Sequence, residues 1–323
     1  MLGALAVAAC GTQAPSVAPA CGAAAVVYGE DGRAELSAHD PWRALGERTV
    51  VAILTRENAD QLQRGASLTE HTAQAVNALC PDEPFATQPA LADCTGVLLA
   101  PDLLLTAGHC LRFGDACADY AYASRYLLAD DGSWQGLATD RWLSCEKLLL
   151  LRREDDPDGV RRDYALVLLR ADDAEQSEHE PEPELALRAT PPVLNERVVM
   201  IGHPMGLPMK IDRGGQVIED ALNTGTWFGA DLDSFGGSSG APVFDAQGML
   251  LGIAVAGLRD YEYLEAPRCF RSNLVSPDRA SGIYERVASI TSVLRDACAQ
   301  GVERACALQE QRSPRLATSC PDR

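Results

Sequence analysis

Three short stretches hold residue types that can carry out acyl transfer. The first is Asp231–Phe244, centred on Gly237-Ser238-Ser239-Gly240-Ala241-Pro242. Glycines on both sides of a serine allow a tight loop that turns the hydroxyl and nearby backbone N–H groups the same way. A nucleophile beside two such donors suits attack on a carbonyl, because the donors hold the oxyanion that forms. A hydroxyl also needs a base. Leu105-Thr106-Ala107-Gly108-His109-Cys110 offers His109 at the end of an apolar strand, in a small-residue turn. Of the five histidines, His39, His71 and His179 lie in polar surroundings without a strand pattern, and His203 in Gly202-His203-Pro204 is the competitor. The base in turn needs an orienting acid. Asp163 directly precedes the apolar run Tyr164–Leu169. A carboxylate leading a buried strand can accept the imidazole N–H at low dielectric, fixing its tautomer and direction. Asp155, Asp156 and Asp158 are nearby, but they lie within a loop where water would screen the pair.

These groups need strands to hold them. Thr49–Leu54, Thr95–Ala100 and Leu103–Ala107 are apolar or β-branched runs, the last two joined at Pro101-Asp102 as a hairpin. Leu148–Leu151 and Tyr164–Leu169 are candidates for buried strands, and Tyr120–Trp142 looks like hairpins broken at Asp130-Asp131-Gly132. Glu57–Leu79 is polar with good helix formers, and is expected as a surface helix or a long loop. Ala174–Glu184 is acidic and proline-rich, the best linker in the chain. Beyond it the short strands continue through Arg197–Ile201, Gly215–Ile218, Thr224–Phe228 and Met249–Val255. Val287–Ala299 has apolar residues at helical spacing. Short strands on both sides of a linker suggest two small β-barrels rather than βαβ units. The expected division is a leader and tether over 1–25, a first barrel with His109 and Asp163 over 26–185, and a second with Ser239, a helix and a tail over 186–323.

Composition narrows the partners. The 323 residues include 28 Lys and Arg against 46 Asp and Glu, a net charge of −18, which argues against nucleic acid and against a basic membrane-docking surface. Eleven cysteines without repeated C-x-x-C pairs favour disulfides over zinc, and an extracytoplasmic location. No metal or cofactor is expected. Val7-Ala8-Ala9-Cys10, after an apolar start, resembles a bacterial lipobox, in which Cys10 would be the lipidated first residue. The leader has no Lys or Arg, so either the true start lies upstream, a truncated secretory signal is present, or the likeness is accidental. If Cys10 is lipidated, an even number of cysteines remains.

Taken together, Cys94–Cys110, Asp163-Tyr164-Ala165-Leu166 and Gly237–Pro242 resemble the three signatures of the chymotrypsin/trypsin-like serine peptidases. They occur in that family's order, His, Asp, Ser, at spacings of 54 and 76 positions. Gly282–Val287 and the helix after it look like the family's last strand and C-terminal helix. Gly202-His203-Pro204-Met205-Gly206 looks like a turn in the bacterial V8-like branch. The resemblance covers roughly residues 45 to 299. It implies an all-β fold of two antiparallel six-stranded β-barrels with a C-terminal α-helix, the site lying in the cleft between them. It also implies hydrolysis of peptide or protein substrates through an acyl-enzyme on Ser239. His109 would act as base and then acid, Asp163 would orient it, and the N–H groups of Gly237 and Ser239 would hold the oxyanion. Cys94 and Cys110 match the family disulfide at the histidine loop. The other eight (Cys21, Cys80, Cys117, Cys145, Cys269, Cys298, Cys306, Cys320) allow on the order of a hundred pairings.

The same resemblance places Asp233 at the floor of the specificity pocket, with Gly257 and Gly282 as wall glycines, which implies cleavage after Arg or Lys. The alternative is that Asp233 makes a structural hydrogen bond within its loop. Ala254 stands where the V8-like branch has a glutamate-binding histidine. Ser238 replaces the aspartate that pairs with a new N-terminus in trypsin-style activation, so that mechanism is absent and the N-terminal extension is not assumed to be a pro-peptide. Val255 and Ala256 replace a Ser-Trp pair whose serine supports the triad aspartate. The rival functions are an inactive homologue serving as a binding module, an HtrA-like protease lacking a PDZ module, and an esterase using the same triad.

Overall fold

The computed structural model describes residues 27–63, 68–111, 116–137, 141–153, 162–171, 185–220, 225–257, 259–275 and 284–312. The chain begins with two short strands, β1 (Val27–Tyr28) and β2 (Arg33–Glu35), and a helix, α1 (Arg43–Thr49). The first barrel follows: β3 (Val50–Thr55), β4 (Cys94–Ala100), β5 (Leu103–Thr106), β6 (Tyr120–Ser124), β7 (Trp142–Arg152) and β8 (Tyr164–Ala171). It closes in the order β3-β4-β5-β8-β7-β6. Successive side chains of a strand face opposite ways, so a wholly apolar strand needs cover on both faces. In β3, Val51 and Ile53 join the main core, while Ala52 and Leu54 pack with Ala59 and Leu62 of α2 (Arg56–Gln63). The stretch from Glu57 to Leu79 thus holds helices rather than one long loop: α2, a 3₁₀ turn and α3 (Ala73–Asn77), whose Thr72 cap accepts the Ala75 N–H. The β4–β5 hairpin turns at Pro101-Asp102 as its composition implies. Leu148–Leu151 differs from expectation: it lies in β7 but stays half-buried.

The second half is a curled sheet rather than a closed six-stranded barrel. Its strands are β9 (Val198–Gly202), β10 (Lys210–Asp212), β11 (Val217–Glu219), β12 (Trp227–Ala230), β13 (Pro242–Asp245) and β14 (Leu250–Ala256). The β15 (Tyr261–Leu264) and β16 (Cys269–Ser272) pair forms a separate hairpin, and β17 (Leu274–Val275) pairs in parallel with β1. β18 (Glu285–Ser289) completes the sheet, in the order β11-β12-β18-β14-β13-β9-β10-β2. Its eighth strand is β2, which pairs antiparallel with β10. The segment from Val27 to Glu35 therefore pairs with the second half, across the expected division of the chain. Register shifts at Val243/Phe244 and Ala254/Ala256 supply the bulges that bend the sheet.

The C-terminal helix starts later than its periodicity suggests. Glu285–Ser289 pairs with both β12 and β14, and α4 (Ile290–Ala299) begins after it, burying Ile290, Val293, Leu294 and Ala297. A disulfide, Cys298–Cys306, joins α4 to α5 (Glu303–Arg312). The other bridges are Cys80–Cys269, Cys94–Cys110 and Cys117–Cys145. Cys10, Cys21, Cys320 and the Ala174–Glu184 linker lie outside the described residues. One apolar cluster runs from Leu105 through Ile201 and Phe244 to Leu294, so the two halves share a core beneath the cleft. Among the described residues no helix is long and apolar enough to cross a membrane.

Candidate active site

The three chemistry-bearing stretches meet at the junction of the barrel and the sheet. His109 sits in a 3₁₀ turn just after β5, Asp163 just before β8, and Ser239 in the loop before β13. The His109 Nε2 atom is 2.8 Å from Ser239 Oγ, and Nδ1 is 2.6 Å from Asp163 Oδ2. The second oxygen of Asp163 accepts the His109 backbone N–H at 2.8 Å. The carboxylate is 5% exposed and holds both the ring and the main chain of the base, so the imidazole has little freedom to turn away. Gly108 makes this approach possible. A Cβ there would lie 1.9 Å from the Arg152 carbonyl and 3.0 Å from Asp163 Oδ1. His203, the other candidate base, is fully buried, and its Nδ1–H donates to the Leu207 carbonyl. Burial pushes its pKa down to about 3, so it stays neutral and away from the cleft chemistry.

The serine loop is braced by the first barrel. Thr95 of β4 donates its N–H to the Ser239 carbonyl (2.8 Å) and its hydroxyl to the Gly237 carbonyl (2.7 Å). The same hydroxyl accepts the His203 N–H, and the Thr95 carbonyl accepts from Thr106 Oγ1. Gly237 has φ +96°, and a Cβ there would sit 2.4 Å from the His203 carbonyl and 2.9 Å from the Gly206 nitrogen. Only glycine fits without moving backbone. Among the described residues neither the Gly237 nor the Ser239 N–H donates to a protein acceptor. Thr95 carries no signal of its own in the sequence beyond following Cys94 directly. The Cys94, His109 and Cys110 group is compact enough to hold a metal, but its two sulfurs are bonded to each other.

Residues 94–253 match the family model of the trypsin-like peptidase domain. Over these residues the chain carries a trypsin-like peptidase domain. It is a serine endopeptidase, and its peptide or protein substrates follow from that. The fold is similar to that of a Glu endopeptidase solved in complex with MPD, at 14% identity and TM-score 0.51, over 85% of this chain and 99% of the other. The Vibrio cholerae VesB protease aligns at 14% identity and TM-score 0.49, over 86% of this chain and 67% of its own. No curated protein sequence matches.

Beside Ser239 the peptidase has a cavity of about 140 Å³. Asp233 does not line it, contrary to the expectation that this residue forms the floor. Both its oxygens are taken: Oδ1 accepts the Tyr28 N–H (2.8 Å) and Oδ2 the Gly32 N–H (2.6 Å). Burial, then the charge of Asp212, raises its pKa to about 7. The structural hydrogen bond is therefore the role the geometry gives Asp233, with partners on the N-terminal segment rather than in its own loop. Gly257 does line the cavity. A Cβ on it would collide with the carboxylate of Glu285, 1.9 Å from Oε2. Gly282 lies outside the described residues. The acidic groups of the cavity are Glu285, 1% exposed and accepting from Ser234 Oγ, and Asp260, which accepts the Gly236 N–H at 2.7 Å. Burial raises the Asp260 pKa. Among the described residues no basic side chain lines the cavity, and Ala254 is part of its wall. Glu285 and Asp260 were both missed from the sequence. The strand pattern of Glu285-Arg286-Val287 held a signal, since alternation buries the first and third.

Four disulfides among the described residues indicate an oxidising compartment, so the peptidase works outside the cytoplasm.

Proposed function

We propose that this endopeptidase cleaves peptide bonds through an acyl-enzyme on Ser239 and prefers Arg or Lys before the scissile bond. The observation that carries the first part is the continuous line Ser239 Oγ, His109 Nε2, His109 Nδ1, Asp163 Oδ2, with gaps of 2.8 and 2.6 Å. Oγ bonds to the scissile carbonyl carbon as its proton passes to Nε2. The C–N bond then breaks, and the same proton goes to the leaving amine. Water enters next, gives its proton to His109 and attacks the ester, and the proton returns to Ser239 as the acid leaves. Asp163 keeps Nδ1 protonated and stabilises the imidazolium without itself being protonated. The N–H groups of Gly237 and Ser239 hold the developing oxyanion in this reading, and the loss of one such donor costs on the order of 10²–10³ in rate.

The preference for a basic residue is supported by a pocket lined by two carboxylates, Glu285 and Asp260, and, among the described residues, by no basic side chain. An acidic side chain entering it would meet like charge in a partly desolvated space. We further propose the division at 26–185 and 186–323 for the two halves, with the Val27–Glu35 strands crossing over to pair with the second, export through a leader within residues 1–25 and a lipid anchor at Cys10. The partners are then a peptide or protein substrate and, through the anchor alone, a membrane. The decisive experiment is labelling with a fluorophosphonate. Wild type should label and Ser239→Ala should not; an unlabelled wild type would favour a binding module.

A further inference from the structure

The loop Ser234–Ser239 must hold two N–H groups in one direction, and Ser238 gives it no internal carboxylate. Its own bonds are short-range: Ser238 N–H to the Phe235 carbonyl (2.8 Å) and Phe235 N–H to Ser238 Oγ (3.3 Å). The rest of its support comes from elsewhere, and much of it from the N-terminal segment. The Arg33 side chain is 1% exposed. Its guanidinium carbon lies 3.9 Å from the centroid of the Phe235 ring and 5.4 Å from that of Phe85. One N–H of the guanidinium donates to the Met205 sulfur at 2.9 Å, and Asp31 takes Nε (2.9 Å) and the other terminal nitrogen (2.7 Å). Met205 in turn donates its N–H to the Gly236 carbonyl at 2.6 Å. One residue before Ser234, Asp233 grips the same segment through the Tyr28 and Gly32 N–H groups. The contacts therefore bracket the chain leading into Gly237.

We propose that Arg33 is a positioning residue, and that the Tyr28–Arg33 segment is a permanent strap that holds the oxyanion loop in its working shape. A planar guanidinium suits this place because it can lie over one ring and still donate from its edge to Met205 and Asp31. An ammonium is a point charge and cannot do both. The strap is wired into the sheet on either side: β1 pairs with β17 and β2 with β10. Order in the loop thus depends on a side chain about two hundred residues upstream, without any cleavage that frees a new N-terminus. This inference rests on the proposed role of Gly237 and Ser239 as oxyanion donors.

The test compares wild type with Arg33→Met, which keeps length and removes the flat cation, and with Phe235→Leu, which removes the ring face. Substrate is a peptide the wild type cleaves; the probes are the peptide aldehyde of its acyl part, which forms a tetrahedral adduct, and the matching alcohol, which does not. Arg33→Met is expected to lose 10–100-fold in kcat and in aldehyde affinity, with KM and alcohol affinity within about threefold of wild type. Amide hydrogen exchange across residues 233–240 should speed up in both variants. Unchanged kcat in a folded variant overturns the proposal, as does an equal loss of aldehyde and alcohol affinity. If Arg33→Met fails to fold, Phe235→Leu gives the same comparison. A wild type that neither cleaves nor labels would fail the peptidase chemistry instead. The exchange experiment then still decides whether Arg33 orders the loop, and unaltered exchange would sink the strap.

Discussion

Glu285→Gln turns one carboxylate of the proposed specificity pocket into an amide and leaves the shape of the side chain nearly intact. Glu285 is the more deeply buried of the two pocket carboxylates, and Oε2 already accepts from Ser234 Oγ, a bond that a glutamine carbonyl can keep. An incoming guanidinium would approach the carboxylate to about 4 Å, where an effective dielectric near 20 gives about 4 kcal/mol. Hydrogen bonds to charged groups contribute about 1.5–3 kcal/mol by difference. The expected loss is therefore about 2–4 kcal/mol, or roughly 30- to 1000-fold in kcat/KM for an Arg peptide. The assay is kcat/KM on two peptides that differ only in carrying Arg or citrulline before the cut. Glu285→Gln should lower the Arg value and leave citrulline within about threefold. Gly257→Ala should act in the same direction, because its Cβ would displace Oε2. Asp233→Asn is the control. An amide has one acceptor and one donor, so either the Tyr28 or the Gly32 N–H would face an NH₂ group. That should cost about 1–3 kcal/mol of stability and hardly alter the Arg-to-citrulline ratio. If Asp233→Asn abolishes the Arg preference while Glu285→Gln preserves it, the assignment of the pocket is refuted.

Three further outcomes are expected. Asp163→Asn must present its NH₂ to either the His109 backbone N–H or Nδ1, since the aspartate accepts from both; kcat should fall about 10⁴-fold, and a loss below tenfold would contradict the orienting role. Thr95→Val leaves the Gly237 carbonyl and the His203 N–H without their buried partner, a cost of about 1–3 kcal/mol in stability that urea unfolding would read, with kcat falling because the loop loses its brace. The pH dependence of stability should show two opposed contributions. His203, at about 3 in the fold against 6.5 unfolded, contributes stability that is whole above pH 6.5 and fades as pH falls, by about 2 kcal/mol at pH 5. Asp233, at about 7 against 3.8, contributes most below 3.8 and loses it as pH rises toward 7. Calorimetry from pH 4 to 7 should therefore show stability rising more steeply with pH in Asp233→Asn than in wild type; identical profiles would contradict the burial of that carboxylate.

The proposed catalytic line was legible because each member is written locally. Thr106-Ala107-Gly108-His109 ends an apolar strand, Asp163 opens another, and Gly237-Ser238-Ser239-Gly240 is a turn whatever surrounds it. Once the strands pair, the three ends converge with little left to choose. The pocket was not written that way. Counting along the serine loop finds Asp233, but which way its carboxylate turns depends on the N–H groups of Tyr28 and Gly32, 205 and 201 residues away. Those donors were invisible as donors until β2 was seen to join the second sheet, where a leader or tether ended just upstream in the linear reading. Glu285 was hidden by parity. A shift of one residue in β18 would exchange it with Tyr284, which instead turns to Trp227 at 5.7 Å between ring centroids. The partly buried Leu148–Leu151 failed for a related reason, since apolar content does not say whether cover exists on both faces of a strand. Mechanism and specificity thus depend on the chain in different ways. The triad follows from strand ends in one barrel and one loop, whereas the charge in the pocket follows from which of several carboxylates the N-terminal segment has already occupied. A change in Tyr28–Arg33 would then alter the pocket and the oxyanion loop without touching a residue that meets the substrate.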